Sequence, residues 1–148
     1  MTAPTTLVIE RILDARPERV FAVWTTGEAM THWYRDSEDF TVTVRELDVR
    51  VGGRYRVEFG AKGQPPYVEY GEYLEVDPPH RLVMTETLEG VPAPWAGTLV
   101  TVELHETGDG GKTRLVLTHE RFPTEQHRDL AAGGWPGFID RIETLATP

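Results

Sequence analysis

Three side chains in this sequence could move a proton inside an apolar setting. Glu72 lies in the run 68–76, Glu86 in the run 81–87, and His119 closes the run 113–119. All three runs read as strands, so alternate residues share a face. If Tyr70, Leu74 and Val76 point inward, Glu72 does too. If Leu82 and Met84 point inward, so does Glu86. The opposite register places Gly71, Tyr73, Val83 and Thr85 inside instead. Both faces carry apolar residues, so the pattern leaves the choice open. A carboxyl on an inner wall has a raised pKa and can serve in proton transfer. His119 shares a face with Leu115 and Leu117; a lone histidine there is more often a satisfied structural residue than an acid or base. These three are the candidate catalytic groups.

Aromatic residues are the larger signal, with four Trp, five Tyr and five Phe. Twelve residues are expected to face inward: Trp24, Trp33, Phe40, Tyr55, Val57, Phe59, Tyr70, Met84, Trp95, Phe122, Trp135 and Phe138. They are the candidate ligand-binding set, divided between packed core and the wall of a pocket. Trp95 falls in the Pro-containing stretch LEGVPAPWAG, where it could gate a cavity mouth or anchor a loop. The five histidines show no i, i+4 pair or other ligand spacing, so no metal site is expected. Neither a G-x-S-x-G elbow nor a phosphate-binding glycine motif occurs, and no cofactor is implied.

These side chains need elements to hold them. Residues 6–13 read as a first strand. Pro17 suits the start of a short helix carrying Val20, Phe21 and Trp24, with Gly27 ending it. Residues 28–34 make a second short helix. Six strands follow in hairpin succession, punctuated by Gly52-Gly53, AKGQPP, Asp77-Pro78-Pro79, the Pro-containing stretch and Gly108–Gly111. Residues 124–146 then carry Trp135, Phe138, Ile139 and Ile142 at helical spacing, with Thr124 as N-cap. Pro136, flanked by glycines, predicts a kink or break near residues 133–135. The expected architecture is α+β: a curved antiparallel seven-stranded sheet wrapped around one long C-terminal helix, with two short helices between strands one and two. It is read as a single domain, 1–148.

Composition narrows the function classes. A net charge of −9 repels phosphate backbones, which argues against nucleic acid. No apolar run approaches the ~20 residues of a membrane span, and the N-terminus shows no signal peptide. The absence of cysteine excludes a disulfide scaffold and suits a cytoplasmic protein.

The motifs also occur in an order that resembles the START-like helix-grip (SRPBCC) superfamily. More narrowly, the chain is similar to the domain named after the activator of the heat-shock-protein chaperone ATPase. The matching residues are ARPERVFAVWT, MTHWY, Val51-Gly52-Gly53-Arg54-Tyr55, Gly71-Glu72-Tyr73, Val76-Asp77-Pro78-Pro79-His80-Arg81-Leu82, Gly111-Lys112-Thr113-Arg114-Leu115 and Gly134-Trp135. The chain departs from the family pattern at Arg16, at Leu130-Ala131-Ala132 and at Pro136. The resemblance implies a helix-grip fold and a cavity for apolar or aromatic small molecules, and its name implies a stress-response setting. Some relatives carry lipids, some cyclise polyketides, and the eponymous ones contact a chaperone. The leading expectation is therefore a protein that binds a hydrophobic or aromatic, lipid- or polyketide-like small molecule rather than an enzyme. The alternatives are a cyclase/aromatase-type enzyme using an inward Glu or His, and a chaperone-associated module. The third ranks lowest, because the co-chaperones carry a further domain that these 148 residues do not include. A homodimer is left open.

Overall fold

The structure, a computed structural model, describes residues 3–109 and 111–148. Gly110, in the expected hairpin turn, and Met1 and Thr2, at the N-terminus read for a signal peptide, lie outside the described residues.

Among these residues seven strands form one antiparallel sheet. They are β1 (Leu7–Leu13), β2 (Phe40–Leu47), β3 (Arg54–Ala61), β4 (Tyr67–Asp77), β5 (Arg81–Glu89), β6 (Trp95–Thr107) and β7 (Lys112–Glu120). The sheet order is β1-β7-β6-β5-β4-β3-β2. β2 through β7 thus pair with their chain neighbours, as short turns dictate. β1 does not pair with β2; it lies against β7, with Leu7 opposite His119 and Leu13 opposite Thr113. The chain crosses from one sheet edge to the other through α1 (Pro17–Thr25) and α2 (Gly27–Trp33). The last element, α3 (Glu125–Ala146), covers the inner face. This is the α+β helix-grip arrangement.

Local chemistry explains the elements. Pro17 opens α1, where its missing N–H is no loss. Gly27 was expected to end α1; instead Thr26 breaks it with extended backbone, and Gly27 begins α2. The Thr124 hydroxyl caps α3 by accepting the His127 amide N–H at 3.2 Å. The break expected at Pro136 is absent: α3 runs unbroken for 22 residues. The ring removes only one backbone bond, and contacts hold the helix on both sides of it. Ala131, Ile139, Ile142 and Ala146 are buried. Arg11 of β1 pairs with Asp140 at 2.7 Å and donates to the Pro136 carbonyl at 3.4 Å. The Asp14 amide donates to Glu143 at 2.7 Å.

The inner face carries the core: Leu13, Tyr55, Val57, Tyr73, Leu82, Met84, Val100, Val102, Leu104, Leu115 and Leu117 are all buried. Trp24 and Trp33, on α1 and α2, fill the space between those helices and α3. Gly71 matters to this face. A Cβ there would lie 1.9 Å from the Thr85 carbonyl oxygen and 2.9 Å from the Tyr55 ring. Only glycine lets Tyr55 cross β4 and donate its hydroxyl to Thr85 O at 2.8 Å.

Candidate functional site

β4 decides what faces the interior. Glu69, Gly71 and Tyr73 point inward, then the register shifts between Tyr73 and Glu75. That irregularity changes parity, so Val76 packs against the core while Leu74 is exposed. The alternation from Tyr70 to Val76 therefore fails. Glu72 is exposed, and Tyr70 stacks under the Arg56 guanidinium, 5.3 Å from its ring centre, on the outer face. Neither belongs to an interior site. The inward carboxyl of β4 is Glu69, which shares the Gly71–Tyr73 register that the pattern left open. On β5 the inward set is Leu82, Met84 and Glu86.

Glu69 and Glu86 are respectively 6% and 4% exposed, so each is more than nine-tenths buried. The Tyr34 hydroxyl donates to Glu69 Oε2 at 2.7 Å, and the Trp95 indole N–H donates to Glu86 Oε1 at 3.0 Å. Burial raises Glu69 from its ordinary 4.5 to about 7, against the lowering effect of Tyr34, Glu86 and Tyr55. Burial also pushes Glu86 well up, and the neighbouring charge on Glu69 pushes it further. Two carboxyls this close cannot both ionise cheaply, so the pair retains a proton near neutral pH.

His119 plays a different part. It is fully buried. The Thr98 hydroxyl lies 2.8 Å from Nε2 and itself donates to the Glu86 carbonyl at 2.9 Å. Its single proton is used there, so Nε2 carries the ring's N–H and donates to Thr98. The Trp135 indole N–H donates to Nδ1 at 3.0 Å. Both nitrogens are satisfied only by the neutral ring; a second proton on Nδ1 would face the indole N–H. Burial accordingly lowers its pKa from 6.5 to about 3. Glu86 Oε1 lies 3.7 Å from Nε2, but with a neutral imidazole this is not an ion pair. His119 therefore holds α3, through Trp135, onto β6 and β7.

Between the sheet and the first half of α3 lies a cavity of about 370 Å³. Phe40, Phe59, Tyr67, Leu88, Trp95, Trp135 and Phe138 form its walls. Glu69 and Glu86 supply its interior polar groups. Asp36, Val91, Leu130, Ala131, Gly133 and Gly134 complete the lining, and the two glycines leave open space where side chains would stand.

The expected binding residues thus separate. Phe40, Phe59, Trp95, Trp135 and Phe138 line the cavity. Trp24, Trp33, Tyr55, Val57 and Met84 are core, not lining. Phe122 packs in a second cluster with Trp95 and Ala131, its ring centre 4.2 Å from that of His119. Trp95 does not sit in a loop: it starts β6, pairs with Leu88 and is anchored by Glu86. Among the described residues, no group of three or more His, Cys, Asp and Glu could hold a metal ion. Nor is any described helix long and apolar enough to cross a membrane.

Fold and cavity define a class: a START-like helix-grip protein with its interior space between sheet and terminal helix. Within that class, the chain matches the Activator of Hsp90 ATPase homolog 1-like protein family over residues 14–147 and belongs to it. Solved structures agree. A protein from Chromobacterium violaceum superposes with a TM-score of 0.85 at 30% identity, covering 99% of each chain. An AHSA1-like protein from Aeromonas hydrophila gives 0.76 at 25% identity, over 95% of this chain and 90% of that one. A protein from Nitrosomonas europaea, at 23% identity and 0.77, shares the fold over 99% of this chain and 96% of its own. No curated protein is significantly similar in sequence.

Proposed function

We propose that this protein binds an apolar or aromatic small molecule in the cavity beneath α3. The observation that carries this reading is the cavity itself: about 370 Å³, walled by aromatic rings, with two carboxyls as its interior polar groups. Small-molecule sites have this composition, an apolar lining with a few placed polar groups. Protein purified from its native host should release a reproducible apolar compound, identified by mass spectrometry. A crystal in which side chains fill the space, with nothing co-purifying, would sink the reading.

One observation supports a second reading, an acid/base enzyme of the cyclase type. Glu69 holds a proton at about pH 7, which suits a general acid or base. On that reading Glu69→Gln or Glu86→Gln abolishes turnover of a bound substrate, while binding survives. The surface offers less to a chaperone-type partner. The exposed large apolar residues Val8, Ile12, Val51, Leu74, Leu130 and Leu145 are spread over β1, a turn, β4 and α3.

A further inference from the structure

We propose that the cavity selects amphipathic cations: an apolar or aromatic amine whose ammonium group sits between Glu69 and Glu86. This rests on the binding reading above and narrows its ligand class.

Three features carry it. First, the lining is acidic without compensation: it includes Asp36, Glu69 and Glu86, and no Lys, Arg or His. The two guanidiniums beside Asp36 donate to backbone carbonyls, and Arg35 Nε is buried without a partner among the described residues. Arg35 donates to Thr31 O at 2.8 Å, and Arg141 donates to Asp36 O at 3.2 Å. Second, each buried carboxyl uses one oxygen on the protein, Glu69 Oε2 on Tyr34 and Glu86 Oε1 on Trp95. Glu69 also interacts with Glu86, through the proton the pair retains, and with the Tyr55 hydroxyl, whose own proton goes to Thr85 O; both carboxyls line the cavity. An ammonium carries three donors and no acceptor, so one group can replace that proton and serve both carboxylates. Third, the neighbouring walls are the rings of Phe59, Trp135 and Phe138. Aromatic faces attract a desolvated cation and accept the apolar part of the ligand. A carboxylate ligand would meet the opposite: buried like charge with no basic partner.

The pair exchanges its retained proton for the ligand. As the ammonium enters, the proton shared by the two carboxyls leaves to solvent, and the site goes from one positive neutraliser to another. The groups facing the pair do not compete for that role. Tyr34 just after α2, Tyr55 on β3 and Tyr73 on β4 are neutral phenols that burial pushes further up. Trp95 and Thr98 on β6 carry no charge, and His119 on β7 is neutral above about 3. α3 contributes to the lining only Leu130, Ala131, Gly133, Gly134, Trp135 and Phe138. Because Glu69 titrates at about 7, amine affinity should rise with pH across that value.

The test uses three probes with one ring system: 2-naphthylmethylamine, 2-naphthalenemethanol and 2-naphthoic acid. Each is titrated calorimetrically at about pH 8 and about pH 5.5, in two buffers of different ionisation enthalpy. The amine should bind roughly tenfold or more tighter than the alcohol at the higher pH, as charge-assisted bonds would give. It should release a proton and lose that advantage at the lower pH, and the acid should bind weakest. Glu86→Gln and Glu69→Gln should erase the amine's advantage over the alcohol. An alcohol that binds as tightly as the amine overturns the cation proposal and leaves the cavity reading standing. No binding of any probe at millimolar concentration overturns both. If one Gln variant fails to fold, the other variant and the pH dependence decide.

Discussion

A carboxyl that leaves water on folding keeps its proton longer than it does in the unfolded chain. For Glu69 the two values are about 7 folded and about 4.5 unfolded. Between them the folded state binds the extra proton, so stability falls as pH rises. Glu69→Gln should flatten the dependence, read as denaturation midpoints at about pH 5 and about pH 8. An unchanged slope would mean that the carboxyl is already ionised in the fold. His119 has the opposite sign. Its folded pKa, about 3, lies below 6.5. Its contribution is complete above pH 6.5 and is lost as pH falls toward 3. The His119 ring resonances should stay fixed between about pH 8 and about pH 5 in an NMR titration. A midpoint near 6 would show a solvated imidazole and break the Trp135–His119–Thr98 chain assigned above.

α3 shows where an element overrides its own sequence. Pro136 leaves the Ala132 carbonyl without its usual i+4 donor, yet tertiary contacts carry the helix through. Pro136→Ala should restore that bond and raise stability by about 1–3 kcal/mol. Urea denaturation would measure it; a loss of stability would mean that the proline fits a bend that alanine disturbs. Sequence periodicity was a sound guide for this element's length, cap and inward face, because helical spacing and Thr124 are local signals. It was equally sound for the hairpin succession of β2 to β7. It failed at the proline because tertiary support is invisible in local pattern. It failed on β4 because one irregularity after Tyr73 shifts the alternation. That is why alternation counted back from Leu74 and Val76 names Glu72, while the strand adopts the Gly71–Tyr73 register that was equally open in the same residues. On β5 the pattern left the same choice open, and the strand, regular from Leu82 to Glu86, turns Glu86 inward.

At the scale of the molecule, one core cluster draws on α1, α2, α3 and the inner faces of the strands. α3 is its cover: Ile139 and Ile142 are fully buried, and Trp135 and Phe138 pack on the cluster. A chain ending at Glu120 should therefore lose cooperative unfolding, lose its near-UV circular dichroism and bind a hydrophobic dye. A sharp melting transition in that truncation would show that the sheet is self-sufficient.

The pairing of β1 with β7 has a further consequence, for the order of events during synthesis. The first strand leaves the ribosome early, but its partner begins only at Lys112, and α3 follows later still. Until then β1 has no neighbour, and the sheet's aromatic face has no cover. Contacts this distant along the chain slow folding and prolong the exposure of sticky surface. The nascent protein is thus most vulnerable to misassociation before the segment from Arg121 onward is made. Closure comes late, when α3 docks and Thr147 reaches back to the Asp14 carbonyl.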